Sequence, residues 1–324
     1  MFHQSTFDAC KGKWRGVLLE LGLPDNVLKD KHGPCPLCGG VDRFRFDNKE
    51  GKGTWICGQC GAGTGMDLAM AYTGQDFRDI APRIDQIIGN VKMDADKPRP
   101  QMSDADRRNA LRQVYASSRP MQPGDLADTY LRSRGLDETT YPDCLRFADR
   151  LSDGSGGVRP AMVATVVDGE GVPVSLHRTF LRPDGMAKAE TSAPRKMMPG
   201  VLPDGACVRV QGWSSGCLGI AEGIETAMAA GHLYEVPTWA ALTSKMLERW
   251  TPPEGCEEVA IFGDNDPKFG GQSAAYRLAH KLAVKGLTVT VHMPPITGED
   301  WADVWLNRVQ ADKASQIIQE VLGR

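Results

Sequence analysis

The 324-residue sequence has no run of apolar residues approaching the ~20 needed to cross a bilayer, so a membrane-spanning helix is not expected. Its opening, Met1-Phe2-His3-Gln4-Ser5-Thr6, lacks the charged-then-apolar order of a secretory signal, and a cytoplasmic protein is expected. No Gly-x4-Gly-Lys-Ser/Thr phosphate loop occurs, which excludes a helicase motor domain within the chain. Strong positive charge is also missing: 38 Lys and Arg against 41 Asp and Glu leave a formal net charge of −3. Any contact with nucleic acid must therefore come from local basic patches and not from a global field. His232, His280 and His292 show no ligand spacing and read as ordinary histidines.

The length allows two or three domains with their own cores, and 41% hydrophobic residues is ordinary for a globular chain. Nine cysteines is an odd count, and four of them form two Cys-x-x-Cys pairs: Cys35 with Cys38, and Cys57 with Cys60. In a cytoplasmic chain that spacing predicts one structural Zn²⁺ held by four thiolates, with glycines letting each knuckle turn. His32 is a competing ligand by type, but four sulfurs already fill a tetrahedral site. Cys10, Cys144, Cys207, Cys217 and Cys256 lie in apolar settings and read as buried thiols. Between the pairs, Asp42 to Asp47 and Thr54 to Ile56 read as strands. Arg43, Arg45, Lys49 and Lys52 offer phosphate contacts there, and Trp55 either stacks a base or packs the core behind the metal. Phe44 and Phe46 read as core. This stretch, with Gly33-Pro34-Cys35-Pro36, Asp42-Arg43-Phe44-Arg45-Phe46 and Gly53-Thr54-Trp55, resembles the zinc-binding domain of phage primases and primase-helicases. That resemblance implies a role in choosing the template sequence.

Weak helical patterning surrounds the ribbon, around Trp14 to Leu21 and in two helices broken at Gly74. Asn90 to Met102 has no hydrophobic face and reads as a linker. Ser103 with Asp106 opens a helix running to about Ser117, and Asp125 to Arg134 is another, stopped by Gly135. Ala161 to Val167 and Val172 to Phe180 read as a hairpin across Asp168-Gly169-Glu170-Gly171. Arg178, Lys188, Arg195 and Lys196 form a basic cluster beyond it, and His177 is assigned to neither face. Tyr130-Leu131-x-Ser133-Arg134-Gly135-Leu136, Leu176 to Phe180, and Gly185-x-Ala187-Lys188-Ala189 resemble the amino-terminal half of the phage and plasmid primase core. In that family such basic residues line a groove facing the metals, which implies template or nucleotide contacts here.

From Leu218 onward, short apolar runs alternate with helical segments, the pattern of a parallel sheet covered on both faces. Leu218 to Ala221 ends on Glu222-Gly223, and Val259 to Phe262 runs into Gly263-Asp264-Asn265-Asp266. Ligands gather beyond the carboxyl ends of such strands. In an extended chain Asp264 and Asp266 aim together, and crowded carboxylates call for Mg²⁺ or Mn²⁺. Gly270-Gly271-Gln272-Ser273 opens a helix whose amides either touch a phosphate or simply relieve a tight turn. Asp300 and Asp303 are spaced to share a helix face, with Asp300 read either as a ligand or as a helix cap. Ala311 to Arg324 is a short amphipathic helix that either caps the sheet or docks a partner helicase. Glu222-Gly223, Asp264-x-Asp266 and Asp300-x-x-Asp303 together resemble the Toprim domain of primases, topoisomerases and related nucleases, in the form found in phage and plasmid primases.

The expected fold class is α+β multidomain: a zinc ribbon, then a primase core with a Toprim subdomain (Rossmann-like α/β, parallel sheet). The expected boundaries are 1–89 for the ribbon with flanking helices, 90–102 for the linker, 103–215 for the basic strand-rich half, and 216–324 for Toprim and C-terminal helices. The resemblance implies a DNA primase that makes short RNA primers on single-stranded DNA from ribonucleoside triphosphates, with a separate replicative helicase as partner and no membrane. Glu222, Asp264 and Asp266 are the expected catalytic residues. Those three with Asp300 and Asp303 are the expected Mg²⁺ or Mn²⁺ ligands. Arg43, Arg45, Trp55, Arg178, Lys188, Arg195 and Lys196 are the expected nucleic-acid or nucleotide contacts. The alternatives are a Toprim nuclease and a non-catalytic single-strand-binding accessory to DNA replication.

Overall fold

The computed structural model describes residues 6–89, 91, 102–154, 156–191 and 193–322, and the chain divides into two compact units, 1–101 and 102–324. The linker expected at Asn90 to Met102 lies almost wholly outside the described residues.

In the first unit, α1 (Thr6–Ala9) and α2 (Trp14–Glu20) precede four antiparallel strands in sequential order. These are β1 (Gly33–Cys35), β2 (Gly39–Phe46), β3 (Trp55–Cys57) and β4 (Gly61–Gly63). α3 (Gly65–Thr73) starts on a capping box in which Thr64 and Asp67 satisfy each other's amides, and it stops at Gly74 in the left-handed conformation. α4 (Phe77–Ile88) is capped by Asp76. So small a sheet cannot bury a core by itself, and the helices complete it: Trp14, Val17, Leu18, Phe44, Phe46, Met66, Leu68, Ile80 and Ile84 form one cluster. Gly65 is required by contact, since a Cβ there would sit 2.1 Å from the Trp14 ring.

The second unit opens with α5 (Asp104–Ala116), whose N-cap Ser103 accepts from the Asp106 amide. β5 (Arg119–Pro120), α6 (Leu126–Ser133), β6 (Leu145–Ser152), β7 (Val158–Val167), β8 (Pro173–Phe180) and β9 (Arg195–Met197) follow. The strands form an antiparallel sheet in the order β5-β6-β7-β8-β9. Next come β10 (Leu218–Ala221), α7 (Ile224–Tyr234), β11 (Thr238–Ala240), α8 (Ser244–Arg249), β12 (Glu258–Phe262), α9 (Gly270–Val284) and β13 (Thr288–His292). Their sheet is parallel throughout, in the order β11-β10-β12-β13. The chain closes with α10 (Trp301–Leu322), one long helix where the sequence suggested only a short one from Ala311. Among the described residues no helix is long and apolar enough to cross a membrane.

The two sheets share a core. Phe147, Met162, Ala164 and Val166 from the antiparallel sheet pack in one cluster with Ala221 and Phe262 of the parallel one and with Ile224, Ala227 and Met228 of α7. On the other face of the antiparallel sheet, Val163, Leu176 and Phe180 pack with Val114 of α5. Strand alternation therefore separates two chemistries. The face towards the parallel sheet carries buried Ser175, His177 and Thr179, with Arg195 directly across from Thr179.

Candidate active site and zinc centre

In the ribbon the four cysteine sulfurs lie within 4.8 Å of one another, with Cys35 to Cys60 at 3.9 Å and Cys38 to Cys57 at 3.7 Å. A tetrahedral ion with Zn–S bonds of about 2.3 Å requires sulfurs about 3.8 Å apart, so the set fits Zn²⁺. The Leu37 and Gln59 amides point at the sulfurs of Cys35 and Cys57, each at 3.4 Å, fixing both knuckles. His32 turns away, its Nδ1 3.0 Å from the Asp42 carbonyl.

Four of the expected base or phosphate contacts in the ribbon are engaged internally: Lys49 pairs with Asp47 at 3.2 Å and Lys52 with Glu50, besides Trp55 and Arg45. Trp55 is only 6% exposed, stacks on Phe44 and donates its ring N–H to the Thr64 carbonyl at 2.9 Å. It is core and offers no face to a base, which corrects the stacking expectation. Arg45 sits 3.5 Å from both Asp30 and Asp47, so its charge is balanced in place. Arg43 is exposed; it donates to Gln59 at 2.8 Å and lies against Gly40 and the Cys38 sulfur.

The acidic cluster lies at the carboxyl edge of the parallel sheet. From β10 the chain crosses to β11 on one side and then to β12 on the other, so β10 and β12 flank the point where the winding reverses. Crevices form at such points, and Glu222 and Asp264 follow those two strands. Burial pushes Asp264 up to about 8, with Glu222, Asp300 and Asp266 adding to the shift and Arg195 opposing it. Its Oδ1 is buried without a hydrogen-bond partner. Glu222 is raised for the same first reason, with Asp266 adding and Arg195 opposing. A buried, unpaired carboxylate oxygen among other acids is costly unless a cation joins it.

Asp266 does not follow strand alternation, because β12 ends at Phe262. It is exposed, and its Oδ2 accepts the Gly271 amide at 2.7 Å at the start of α9. Gly271 is required there: a Cβ would lie 2.5 Å from the Asp264 carbonyl oxygen. Asp300 is the helix cap, its Oδ1 accepting the Asp303 amide at 3.0 Å, and burial raises its pKa. Asp303 has both oxygens engaged, one by Arg134 at 3.0 Å and one by the Asp300 amide at 3.2 Å. The five expected ligands are therefore not drawn into one tight set. Among the described residues, no three of them bring oxygens within 4.8 Å of one another. Mg²⁺ nonetheless fits, since it keeps several waters and takes only one or two carboxylates.

The expected basic cluster divides by face. Lys188 and Arg195 belong to the acidic side: Lys188 pairs with Glu225 at 3.0 Å, and Arg195 lowers both Glu222 and Asp264. Arg178 lies on the opposite face, over the Phe180 ring, and Lys196, directly across from it, donates to the Asp153 carbonyl at 2.6 Å. The alternation of β8 and β9 puts these two away from the acids, which corrects their grouping with Lys188.

Glu225, not among the site residues expected from the sequence, is the most fully enclosed acid at this site. Burial alone would raise it, but Lys188 and the Tyr130 hydroxyl hold it down to about 2. Beside it, His177 is buried with Nδ1 unpartnered, and burial lowers it to about 4, so it is neutral at pH 7.

Three family models match the chain. Residues 30–66 match the zinc-binding domain of primase-helicase, residues 217–311 the Toprim domain, and residues 105–210 a domain of unknown function (DUF7146). Among solved structures, the chain is similar to the zinc-binding and RNA polymerase domains of Aquifex aeolicus primase, at 17% identity and a TM-score of 0.43, over 98% of this chain and 85% of that one. It is also similar to the primase fragment of the bacteriophage T7 primase-helicase protein, at 15% identity and a TM-score of 0.39, over 89% of this chain and 98% of that one. The catalytic domain of DnaG primase bound to single-stranded DNA matches at 16% identity and a TM-score of 0.40, over 65% and 81%. With a primase-helicase zinc-binding domain towards one end and a Toprim domain towards the other, the chain is a primase-type protein.

Proposed function

We propose that this protein is a DNA primase of the phage or plasmid kind, acting in the cytoplasm, that joins ribonucleoside triphosphates into short RNA primers on single-stranded DNA. The observation that carries the reading is Asp264: a half-buried carboxylate with one oxygen buried and unpartnered, beside Glu222 at the winding reversal, with Arg195 nearby. A carboxylate so placed is unfavourable in the free protein and suited to a divalent ion. Asp264, with Glu222 or Asp266, would hold Mg²⁺ or Mn²⁺, with Asp300 at the margin, and the ion would neutralise triphosphate charge and activate the attacking hydroxyl. Glu222, raised by burial, is suited to take the proton from the primer 3′-hydroxyl. The 3′-oxygen then bonds to the α-phosphorus, the bond to pyrophosphate breaks, and Lys188 and Arg195 face the departing charge. Arg43 on the ribbon would contact the template backbone, and a separate helicase would supply the single strand.

The test is primer synthesis on single-stranded DNA with labelled ribonucleotides and Mg²⁺ or Mn²⁺, comparing the wild type with Asp264→Asn. Short template-dependent products that vanish in the variant are expected. Metal-dependent cleavage of the DNA without nucleotides, and no products on varied templates, would hand the site to a nuclease.

A further inference from the structure

Five non-glycine residues among those described have positive φ: Asn48, Glu50, Glu235, Leu242 and Phe269. Four have a local reason. Asparagine tolerates this region, and the Asn48 Oδ1 accepts the Gly53 amide at 2.8 Å. Glu50 lies in a short 3-10 turn and pairs with Lys52. Glu235 ends α7 with a left-handed cap. Leu242, beside Glu222, is only 7% exposed and buries its side chain in the shared core.

Phe269 also closes a tight turn, its amide on the Asp266 carbonyl, but its side chain is neither buried nor paired. It adopts φ 60° and ψ 21° at the N-cap of α9, a position that favours Ser, Thr, Asp, Asn or Gly, and it makes no side-chain cap bond. Its ring is 70% exposed. Backbone strain and an exposed aromatic coincide at one residue: the helix cap is supplied by Asp266, and the backbone hydrogen bonds of Phe269 hold the turn but leave the ring in solvent. Such outliers concentrate where a ligand is held.

The turn holding Phe269 also holds Asp266. The Phe269 amide donates to the Asp266 carbonyl at 3.0 Å, and the Asp266 carboxylate accepts the Gly271 amide. Behind them, Gly271 packs against the Asp264 backbone so closely that no Cβ fits. The Phe269 backbone is thereby tied to the acidic cluster through a short closed turn.

We propose that Phe269 is a platform for the nucleobase of the incoming nucleoside triphosphate, whose phosphates face Asp264 and Asp266. This rests on the polymerase reading above and adds the residue that engages the base. Every base has a π-face, so the platform would accept all four nucleotides while distinguishing a nucleotide from bare polyphosphate.

The experiment uses the full chain with Mg²⁺ and measures equilibrium binding of ATP and, separately, of inorganic tripolyphosphate. Phe269→Ala is expected to weaken ATP binding roughly 5- to 150-fold, the range of one base–aromatic stack. Tripolyphosphate binding should change less than about twofold, because no base is present. Phe269→Tyr should restore ATP affinity. Phe269→Gly should lose it like Ala without lowering Tm, since glycine is unstrained at this φ. In primer synthesis, KM for nucleotides should rise with kcat little changed. ATP affinity equal to wild type in Phe269→Ala, or an equal loss for ATP and tripolyphosphate, would overturn the proposal. So would a loss confined to single-stranded DNA affinity, which would give the ring to the template. With an active wild type these outcomes sink the platform alone, whereas a wild type that neither binds ATP nor makes primers sinks the polymerase reading with it.

Discussion

Replacing Asp264 by Asn should stabilise the magnesium-free protein, and by more at pH 8 than at pH 6. The Asp264 carboxyl is raised from 3.8 to about 8 in the folded protein, chiefly by burial. Between those values the folded state binds one more proton than the unfolded state, so stability falls as pH rises, by up to ~1.4 kcal/mol per pH unit. Between pH 6 and pH 8 this amounts to about 2 kcal/mol, or roughly 4–8 °C in Tm for a unit of this size. Asparagine fills the same space and never ionises, so the variant's melting curve should lose that slope. The assay is thermal unfolding from pH 6.5 to 8.5 with zinc retained and Mg²⁺ absent. His177 stays out of this range: its pKa is lowered to about 4 by burial, so its linked loss of stability comes only as pH falls below its unfolded value of 6.5. Mg²⁺ binds the ionised carboxylate, and adding it should raise the wild-type Tm more at pH 8 than at pH 6.5, with little effect on the variant. Melting curves that stay parallel across the range, with or without Mg²⁺, would refute the assignment of an unpaired, proton-holding carboxyl at Asp264.

Chelating the zinc, or replacing Cys57 by Ser, should unfold the ribbon unit while the Toprim-containing unit melts as before, because the ribbon core is too small to hold without its metal. Amide hydrogen exchange over residues 30–66 reads this directly, and retained protection after chelation would count against the zinc site. Lys188→Met removes the cation beside the fully enclosed Glu225 and should destabilise by about 3 kcal/mol at pH 8, the scale for stranding a buried charge. Glu225, now at about 2, would then rise, so the loss should shrink towards pH 5 as it takes up a proton. A loss independent of pH would mean that Lys188 contributes packing and not charge.

Much of the fold was legible because it is written locally. The two Cys-x-x-Cys pairs are found as one four-sulfur cluster, and the short apolar runs at Leu218 and Val259 became adjacent parallel strands. Glycine and cap residues marked the ends of several helices, as at Gly74, Ser103 and Gly135. What escaped depends on partners distant in sequence. Tyr130 meets Glu225 across 95 positions, and Arg134 takes an oxygen of Asp303 across 169. Asp266 was expected to follow strand geometry, but the strand stops four residues earlier and a helix amide captures the carboxylate. The faces of Arg178 and Lys196 needed the register of β8 against β9, which pattern alone leaves undetermined. Phe269 escaped for another reason: its interest lies in a backbone angle, and nothing in residue type betrays one.

The core shared by the two sheets bears on how such a protein can be taken apart. The family matches at 105–210 and 217–311 look like separable modules along the sequence, yet their apolar faces close on each other around Met162, Ala164, Ile224 and Met228. A fragment cut between them would present that whole face to water, and exchanging one module for a homologue's would require its surface to be rewritten on the other. Recombination and protein engineering would thus have to treat residues 102–324 as one heritable block, and only the ribbon as a part that can be swapped.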